Sequence, residues 1–309
     1  LKGFRVRPGL LVQLSQSPPH RQKTLQLGNS GHKLIKDDMA IQTRDELIKA
    51  LGNNSSRVVL DKASIATQIA GGFTSLWRAT GIPGQGAIPT AATLCTKALV
   101  GSIGFTNQTL PVTSYYAWQT VATSNAATNV EFHDRLAHLG GLNGTLNTAQ
   151  AASVNLETLS VPAGRLGDSN YSDTQWWLEW YTSTGSAAVT ATVAVTYNDA
   201  TSGNVSVAIP ASTAASRMLP IIPAVAGKFI KAVTTVTLSA TTNTAGNFGI
   251  SVTRPRTAIG TNIANKTESY DWALLGLPEI PNDSCLMMVM LCSTTSTGTV
   301  RGQGKIIHG

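Results

Sequence analysis

Apolar and polar positions alternate along much of the second half of the chain. Valine, alanine and tyrosine alternate with threonine over 189–197, and the pattern continues over 205–209 after a turn at 198–203. This two-residue period is typical of a strand with one buried side and one side facing solvent. Five further strands are predicted at 216–222, 228–239, 246–253, 284–293 and 298–307.

The spacing of these strands indicates a fold class. They are short, they follow one another at nearly regular intervals, and hairpin loops are predicted at 241–246 and 294–298. No helical pattern lies between them. Because such spacing is typical of two packed sheets, we predict a mostly β fold, with a β-sandwich or jelly-roll-like domain over 115–309.

One helix is predicted before this domain. Thr43 and Glu46 have the spacing of a capping box, in which each side chain caps the backbone of the other residue. Leu47 and Leu51 follow at helical spacing, and the next residue is a glycine that ends the pattern. We therefore predict a short helix over 43–51.

The rest of the region 39–114 carries no strong helical signal. Residues 57–67 are predicted to be extended. The segment 76–89 is rich in glycine and proline, which predicts an ordered loop rather than a regular element. We therefore expect an extended N-terminal region in front of the β domain.

Positive charge is concentrated in the first 38 residues. The net charge of the chain is +7, and residues 1–38 contribute +5 of it, with seven Lys or Arg against two Asp. One hypothesis is a basic extended arm that lies along a neighbouring subunit. The other is an extension outside the main domain, because Met39 begins a segment that resembles an ordinary protein start. Nucleic acid ranks below protein as a partner of the arm, since its charges are scattered and Phe4 is its only aromatic residue.

Charged residues are scarce in the chain as a whole. They make up 13% of all residues, about half of the roughly 25% that is usual in soluble domains. A surface built from hydroxyls and amides repels its neighbours weakly, so we expect a homo-oligomer, a trimer or a higher ring. No apolar run is long enough to span a bilayer, and no membrane partner is expected.

Three cysteines are present, without the spacing of a metal or redox motif. Cys285 and Cys292 are seven residues apart in a predicted strand, which places them on opposite faces. We therefore predict buried, reduced thiols, which fits assembly in a reducing compartment such as a bacterial cytoplasm.

One polar cluster invites a catalytic or metal-binding interpretation. Glu131, His133, Asp134 and His138 lie within eight residues. The spacing between the two histidines, however, turns the imidazoles well apart on a helix and places them on opposite faces of a strand. We favour the alternative, a polar strand or turn whose side chains form local salt bridges.

Other signs of catalysis are weak. No nucleophile motif is present. Asp168 and Asp173 could imitate the carboxylate pair of a glycosidase, but they lie in a stretch whose composition is typical of a turn. We therefore predict no enzymatic activity, no bound metal and no cofactor.

Aromatic residues are concentrated in one predicted strand. The candidate interface or glycan-binding residues are Trp176, Trp177, Trp180 and Tyr181 in that strand, with Trp77 and Trp272 elsewhere. As core residues, Trp176 and Trp180 would fill the space between two sheets, and Trp177 would pack on a cap or a neighbour. As a binding platform, the exposed rings would stack on sugars.

Three stretches of the chain are distinctive enough to compare with known families. They are 75–89 (SLWRATGIPGQGAIP), 133–142 (HDRLAHLGGL) and 171–181 (YSDTQWWLEWY). They resemble segments of virion structural proteins of tailed bacteriophages. The resemblance implies a particle component, assembled in the cytoplasm of the bacterial host, and it implies no catalytic residues.

The resemblance also sets the expected function. We expect a protein that assembles on the capsid with copies of itself and other virion proteins, as a decoration, cement-like or shell protein. The alternative is a carbohydrate-binding phage tail or adhesin module that uses the Trp-rich strand.

Overall fold

The structure is a computed structural model, and it describes residues 41–65, 68–243 and 246–309. Strands account for 45% and helices for 7%, which confirms the predicted mostly β fold. The predicted arm over 1–38 and the start at Met39 lie outside the described residues.

Seventeen strands and three helices are present in the described residues. The helices are α1 (Arg44–Asn53), α2 (Ala163–Leu166) and α3 (Trp272–Leu275). The strands are β1 (Ser55–Lys62), β2 (Phe73–Ser75), β3 (Gly81–Ile82), β4 (Thr93–Leu94), β5 (Ser114–Thr123), β6 (Thr128–Asn143), β7 (Gln150–Asn155), β8 (Gln175–Trp180), β9 (Val189–Tyr197), β10 (Ser202–Ile209), β11 (Arg217–Pro220), β12 (Ile230–Leu238), β13 (Asn247–Thr261), β14 (Glu268–Tyr270), β15 (Glu279–Ile280), β16 (Leu286–Leu291) and β17 (Val300–His308).

A sheet that closes on itself lies at the centre of the fold. Its order is β13–β8–β11–β2–β16–β6, and β13 also pairs with β6, which completes the ring. The pairing of β13 with β6 contains three register shifts, and such irregularities bend strands. We call this ring, with β4 added beside β6, the closed sheet.

Two further sheets lie against the outside of the closed sheet. The six-strand sheet has the order β14–β5–β17–β1–β3, with β15 also paired to β5. The four-strand sheet has the order β10–β9–β12–β7. All strand pairs are antiparallel among the described residues.

An apolar layer joins each flanking sheet to the closed sheet. Valines and alanines of β9 meet Trp176, Leu178 and Trp180 of β8 in the layer beside the four-strand sheet. The second layer joins the six-strand sheet to β6 and β16, and Phe132 and Met288 are among its buried members. These two layers explain the alternation seen in the sequence, because β9 buries every second residue as predicted.

The predicted helix is confirmed as α1. The Thr43 hydroxyl accepts a hydrogen bond from the Glu46 backbone, and the Glu46 carboxylate accepts one from the Thr43 N–H at 2.9 Å. Leu47 and Ala50 of α1 are buried against Ile307. A single short helix is marginal in isolation, so this contact with β17 contributes to its stability.

The predicted boundary at residue 115 does not separate two structural units. Strand β1 pairs with β17 along its whole length, from Ser55 opposite Ile307 to Lys62 opposite Val300. Strand β2 is likewise a member of the closed sheet. The reason is that a central strand needs a partner on each side for its backbone groups, and residues before 115 supply these partners.

Candidate functional site

The polar cluster predicted on β6 lies largely inside the closed sheet. Arg135 points into this interior, where its Nη2 is 2.7 Å from Oε2 of Glu179 on β8, and both side chains are fully buried. The same carboxylate accepts a hydrogen bond from the Ser251 hydroxyl, and Arg135 donates to the Tyr181 oxygen at 3.1 Å. An ion pair with further hydrogen bonds therefore crosses the interior of the closed sheet.

A second buried ion pair is centred on Asp134. Its carboxylate accepts hydrogen bonds from Arg165 Nε at 3.0 Å and Nη2 at 2.6 Å, which is a two-point contact. Arg256 Nη2 lies 3.3 Å from the same carboxylate, and the Cys285 N–H donates to it at 2.8 Å. Two guanidinium groups thus share one carboxylate.

The charges of the interior are fixed by their neighbours. Burial alone would lower the pKa of Arg135, but Glu179 holds it above its ordinary value. Burial alone would raise the pKa of Glu179, but Arg135 keeps it below its ordinary value. Burial lowers the pKa of His138 to about 3, and the nearby Arg135 charge adds to the effect. The interior therefore holds a charged pair beside a neutral imidazole, whose Nδ1 accepts a hydrogen bond from Arg135 Nε at 3.0 Å.

The ring of His133 lies between a carboxylate and a hydroxyl. Its Nε2 is 2.9 Å from Oε2 of Glu131, and its Nδ1 is 3.0 Å from the Thr253 oxygen. A carboxylate, an imidazole and a hydroxyl in this order can activate the hydroxyl oxygen as a nucleophile. Thr253 is fully buried, however, and its oxygen also accepts a hydrogen bond from Trp177 Nε1 at 2.9 Å. The hydroxyl is therefore sealed from a substrate and serves to hold the strands together.

No metal cluster is formed by the residues that the structure describes. In those residues no group of three or more His, Cys, Asp or Glu side chains is placed to hold a metal ion. The predicted absence of a metal, a cofactor and enzymatic activity stays a prediction.

The interpretation of the β6 cluster as local salt bridges needs correction. Glu131 with His133 is a local pair, but Asp134 pairs with Arg165 and Arg256, and Arg135 pairs with Glu179 on another strand. The reason is that β6 pairs with β13 on one side and with β16 and β4 on the other, which leaves its polar side chains inside the fold.

The sequence contains one signal for these distant partners. Glu179 stands in the strand Gln-Trp-Trp-Leu-Glu-Trp, where its neighbours on both sides are large and apolar. An acid in such a strand is buried only with a cationic partner. Nothing in the local sequence identifies that partner as Arg135.

The Trp-rich strand is part of the core. Trp176, Trp177, Trp180 and Tyr181 are each at most 7% exposed. Trp176 and Trp180 lie in the layer beside the four-strand sheet, and Trp177 lies inside the closed sheet. Their burial removes the exposed rings that the glycan-binding interpretation requires.

The two other candidate tryptophans occupy different environments. The Trp77 Nε1 donates a hydrogen bond to the Ala87 carbonyl at 2.9 Å. Trp77 is buried against Arg135, whose guanidinium carbon lies 4.8 Å from the centre of the Trp77 ring. This contact holds the predicted loop 76–89 against the closed sheet. Trp272, the first residue of α3, is 39% exposed and is the one candidate aromatic that a partner could contact directly.

The three cysteines are free and buried. Cys285 belongs to the interior of the closed sheet, and Cys292 belongs to the layer beside the six-strand sheet. The predicted opposite orientation of these two residues is therefore confirmed. Burial raises the pKa of Cys95 and of Cys292 above the ordinary thiol value, so both stay protonated and unreactive.

The carboxylates of Asp168 and Asp173 belong to a turn. Asp173 accepts a hydrogen bond from the Asp168 N–H at 3.3 Å and forms an ion pair with Arg254 at 3.2 Å. Asp168 in turn accepts from the Asn170 N–H at 3.2 Å. Both acids therefore stabilise the turn through these contacts.

Two surface depressions lie near these residues. One is an apolar groove of about 520 Å³, with Trp176, Val225 and Phe229 in its wall. The other is a polar cleft of about 450 Å³ beside Arg254 and Arg256. In the cleft the terminal guanidinium nitrogens of Arg254 and Arg256 already bind backbone carbonyls and carboxylates, so the two arginines act mainly within the fold.

No helix among the described residues has both the length and the apolar character needed to cross a membrane.

The chain was compared with known proteins. No family model matches it, and no curated protein matches it. Among solved structures, particles derived from infectious bursal virus (T=1) align at 9% identity over 83% of this chain and 78% of that chain, with a TM-score of 0.16. The VP2 subviral particle of infectious bursal disease virus aligns at 10% identity over 82% and 81%, with a TM-score of 0.14. The T13 particle of this virus aligns at 10% over 82% and 78%, with a TM-score of 0.16. TM-scores this low carry no argument about the fold or function of this chain.

Proposed function

We propose that this chain is a structural component of a viral particle and assembles with copies of itself. The observation that carries the proposal is the outer face of the four-strand sheet. Two of its four strands, β9 and β10, present only uncharged small side chains to solvent: Thr190, Thr192, Ala194, Thr196, Ser202, Asn204, Ser206 and Ala208. The absence of charge on these two strands leaves little to oppose their burial against another subunit.

The interior of the closed sheet supports a structural role. Its charged side chains have their counter-charges within the protein, and the Thr253 hydroxyl next to His133 is sealed from a substrate. The three stretches that resemble phage proteins meet there, since 75–89 carries Trp77, 133–142 carries Arg135 and 171–181 carries Glu179. This shared position in the interior supports a role of these stretches in maintaining the fold.

The finer form of the proposal follows from the resemblance. The chain would belong to a tailed bacteriophage, assemble on the capsid as a decoration, cement-like or shell protein, and form a trimer or a higher ring. It would be found in the virion after assembly in the bacterial cytoplasm, with no catalytic step and no cofactor.

The proposal is tested with the full chain in solution. Mass photometry over a range of micromolar concentrations should show an oligomer, and electron microscopy of a mixture with phage particles should show ordered density on them. A chain that stays monomeric and leaves the particles bare would contradict the proposal. A glycan array is the second arm, with Trp272→Ala as the matched variant. Binding that depends on Trp272 would favour an adhesin instead.

A further inference from the structure

We propose that β10 is an assembly edge, which pairs antiparallel with β10 of a second copy across a two-fold axis. Two four-strand sheets would thereby become one continuous sheet. This inference rests on the proposed function, because it names one surface through which copies associate. A two-fold contact joins two copies, so a trimer or a higher ring needs a second contact beside it.

The first observation is that β10 has one strand partner. It pairs with β9 in an unbroken register, from Ser202 opposite Thr196 to Ile209 opposite Val189. Among the described residues, no other backbone group forms a hydrogen bond with the backbone of 202–209. The outer edge of β10 therefore presents unpaired N–H and C=O groups.

The second observation identifies which groups face outward. The Tyr197 N–H donates to the Thr201 carbonyl at 2.9 Å, which makes these two residues a hydrogen-bonded pair. Hydrogen-bonded and non-hydrogen-bonded pairs alternate along an antiparallel ladder. The backbone groups that point away from β9 are therefore those of Ser202, Asn204, Ser206 and Ala208.

The third observation is that β10 lacks the usual protection of an edge. Proteins guard exposed edges with short strands, charges, prolines or bulges. Strand β10 has eight residues and contains none of these features. The opposite edge strand, β7, has six residues, and its ladder with β12 contains a register shift. The six-strand sheet has β3 at one edge and β14 at the other, with two and three residues.

A second copy of this chain fits that edge. A two-fold axis at Ser206 places Ser206 opposite Ser206 of the second copy and Asn204 opposite Ala208. The backbone N–H and C=O groups that point away from β9 in one copy then meet the same groups of the other copy. The same axis places Val205 opposite Val207, so the apolar side of one sheet continues into the apolar side of the other. No charge opposes another charge in this arrangement. An identical strand is thus complementary to β10 in hydrogen bonds, in apolar faces and in charge.

The test uses a charge at the centre of the edge. Ser206→Lys places two ammonium groups opposite each other, and we expect it to weaken association by about tenfold or more in mass photometry. The comparison variant is Thr192→Lys. Thr192 lies opposite Ser206 on the inner strand β9 and faces the same solvent, so Thr192→Lys adds the same charge to the outer face but not to the edge. If the edge is the contact, Thr192→Lys should weaken association much less than Ser206→Lys, whereas an equal or larger loss would place the contact on the outer face and overturn the edge proposal.

A second variant removes a hydrogen bond without adding charge. The Ser206 N–H points outward and is not needed for pairing with β9, so Ser206→Pro removes only an edge donor. Ser206→Thr keeps that donor and is its control. We expect the proline variant to dissociate and the threonine variant to stay associated. Circular dichroism of each variant should match that of the unmodified chain.

Hydrogen exchange gives an independent measurement. The amides of Asn204, Ser206 and Ala208 should exchange at least about tenfold more slowly in the oligomer than in the dilute monomer. An oligomer that persists in both Ser206→Lys and Ser206→Pro, or protects β7 rather than β10, would overturn the edge proposal but leave the proposed function intact. A chain that never associates and does not bind particles would overturn both.

Discussion

The interior of the closed sheet and the layer beside the four-strand sheet are equally buried, but different interactions hold them together. Strand β8 contributes to both. Its Glu179 faces the interior and pairs with Arg135, whereas its neighbour Leu178 faces the layer among valines and other apolar residues. Both side chains are fully buried. Two adjacent residues of one strand therefore experience quite different environments.

The difference teaches what each region contributes. An apolar layer stabilises the fold in proportion to the area that it buries, and it tolerates changes of similar volume. A buried ion pair recovers the cost of removing two charges from water only when both partners are present. The layer therefore supplies most of the stability, and the interior pair discriminates against arrangements in which Arg135 and Glu179 do not meet.

The largest expected effect comes from removing one charge of the interior pair. Glu179→Leu leaves Arg135 buried without its counter-charge, so the free energy of unfolding should fall by about 4 kcal/mol. Urea denaturation measures this loss.

A double variant separates the charge from the volume of the side chain. Arg135→Met with Glu179→Leu removes both charges and should recover most of the stability lost in Glu179→Leu. The single variant Arg135→Met completes the comparison. If Glu179→Leu is as stable as the unmodified chain, or if the double variant loses as much stability as Glu179→Leu and Arg135→Met together, this account of the interior is wrong.

The neighbouring residue gives the second effect. Leu178→Ala should lower the free energy of unfolding by about 3 kcal/mol, because it leaves a cavity in the apolar layer. Ile250→Val, in the same layer, removes one methyl group and should cost about 1 kcal/mol. A cost that does not grow with the removed volume would contradict an apolar layer packed in this way.

The sequence predicted the layer far better than the interior. The alternation over 189–197 directly reports one buried side of β9, and the capping box of Thr43 and Glu46 directly reports a helix start. Both signals are local. The partner of Glu179 is 44 residues away along the chain, and the closure of β13 against β6 joins residues more than a hundred positions apart. Local periodicity carries no information about such contacts, so the salt bridges of β6 were predicted to be local.

The ends of two predicted strands also differ from the structure, because local periodicity does not determine where a strand stops. The predicted strand 246–253 continues to Thr261 because it pairs with β6, which is sixteen residues long. In the predicted extended segment 57–67, by contrast, the strand ends at Lys62, and residues 63–65 are described outside it. In both cases the length is set by the partner strand rather than by the local pattern.

A smaller effect should appear on acidification. His138 is neutral in the folded protein, with a pKa of about 3, whereas in the unfolded chain its pKa is near 6.5. Between these values the unfolded chain binds a proton that the folded protein does not. Stability should therefore fall by about 1.4 kcal/mol per pH unit as the pH drops below about 6.

The contribution of His138 is obtained by comparing the pH dependence of stability between the unmodified chain and a variant. His138→Gln keeps an acceptor for Arg135 but does not titrate, so its stability should fall less steeply between about pH 6 and pH 4.5. Carboxylates titrate in both proteins and cancel in the comparison. Parallel curves from urea denaturation would show that His138 is not held neutral.

The smallest expected effect concerns an ion pair on the surface. Glu157 is half exposed and lies 3.0 Å from Lys231 at the margin of the four-strand sheet. In contrast to Glu179, it keeps much of its contact with water, so neutralising it leaves no buried charge behind. Glu157→Gln should therefore cost about 0.5 kcal/mol or less, and about 1 M salt should remove the difference because it screens exposed charges. The same salt should leave the cost of Glu179→Leu almost unchanged, since solvent ions do not reach the interior. Equal salt dependence of the two variants, measured by urea denaturation, would mean that the Arg135–Glu179 pair is open to water.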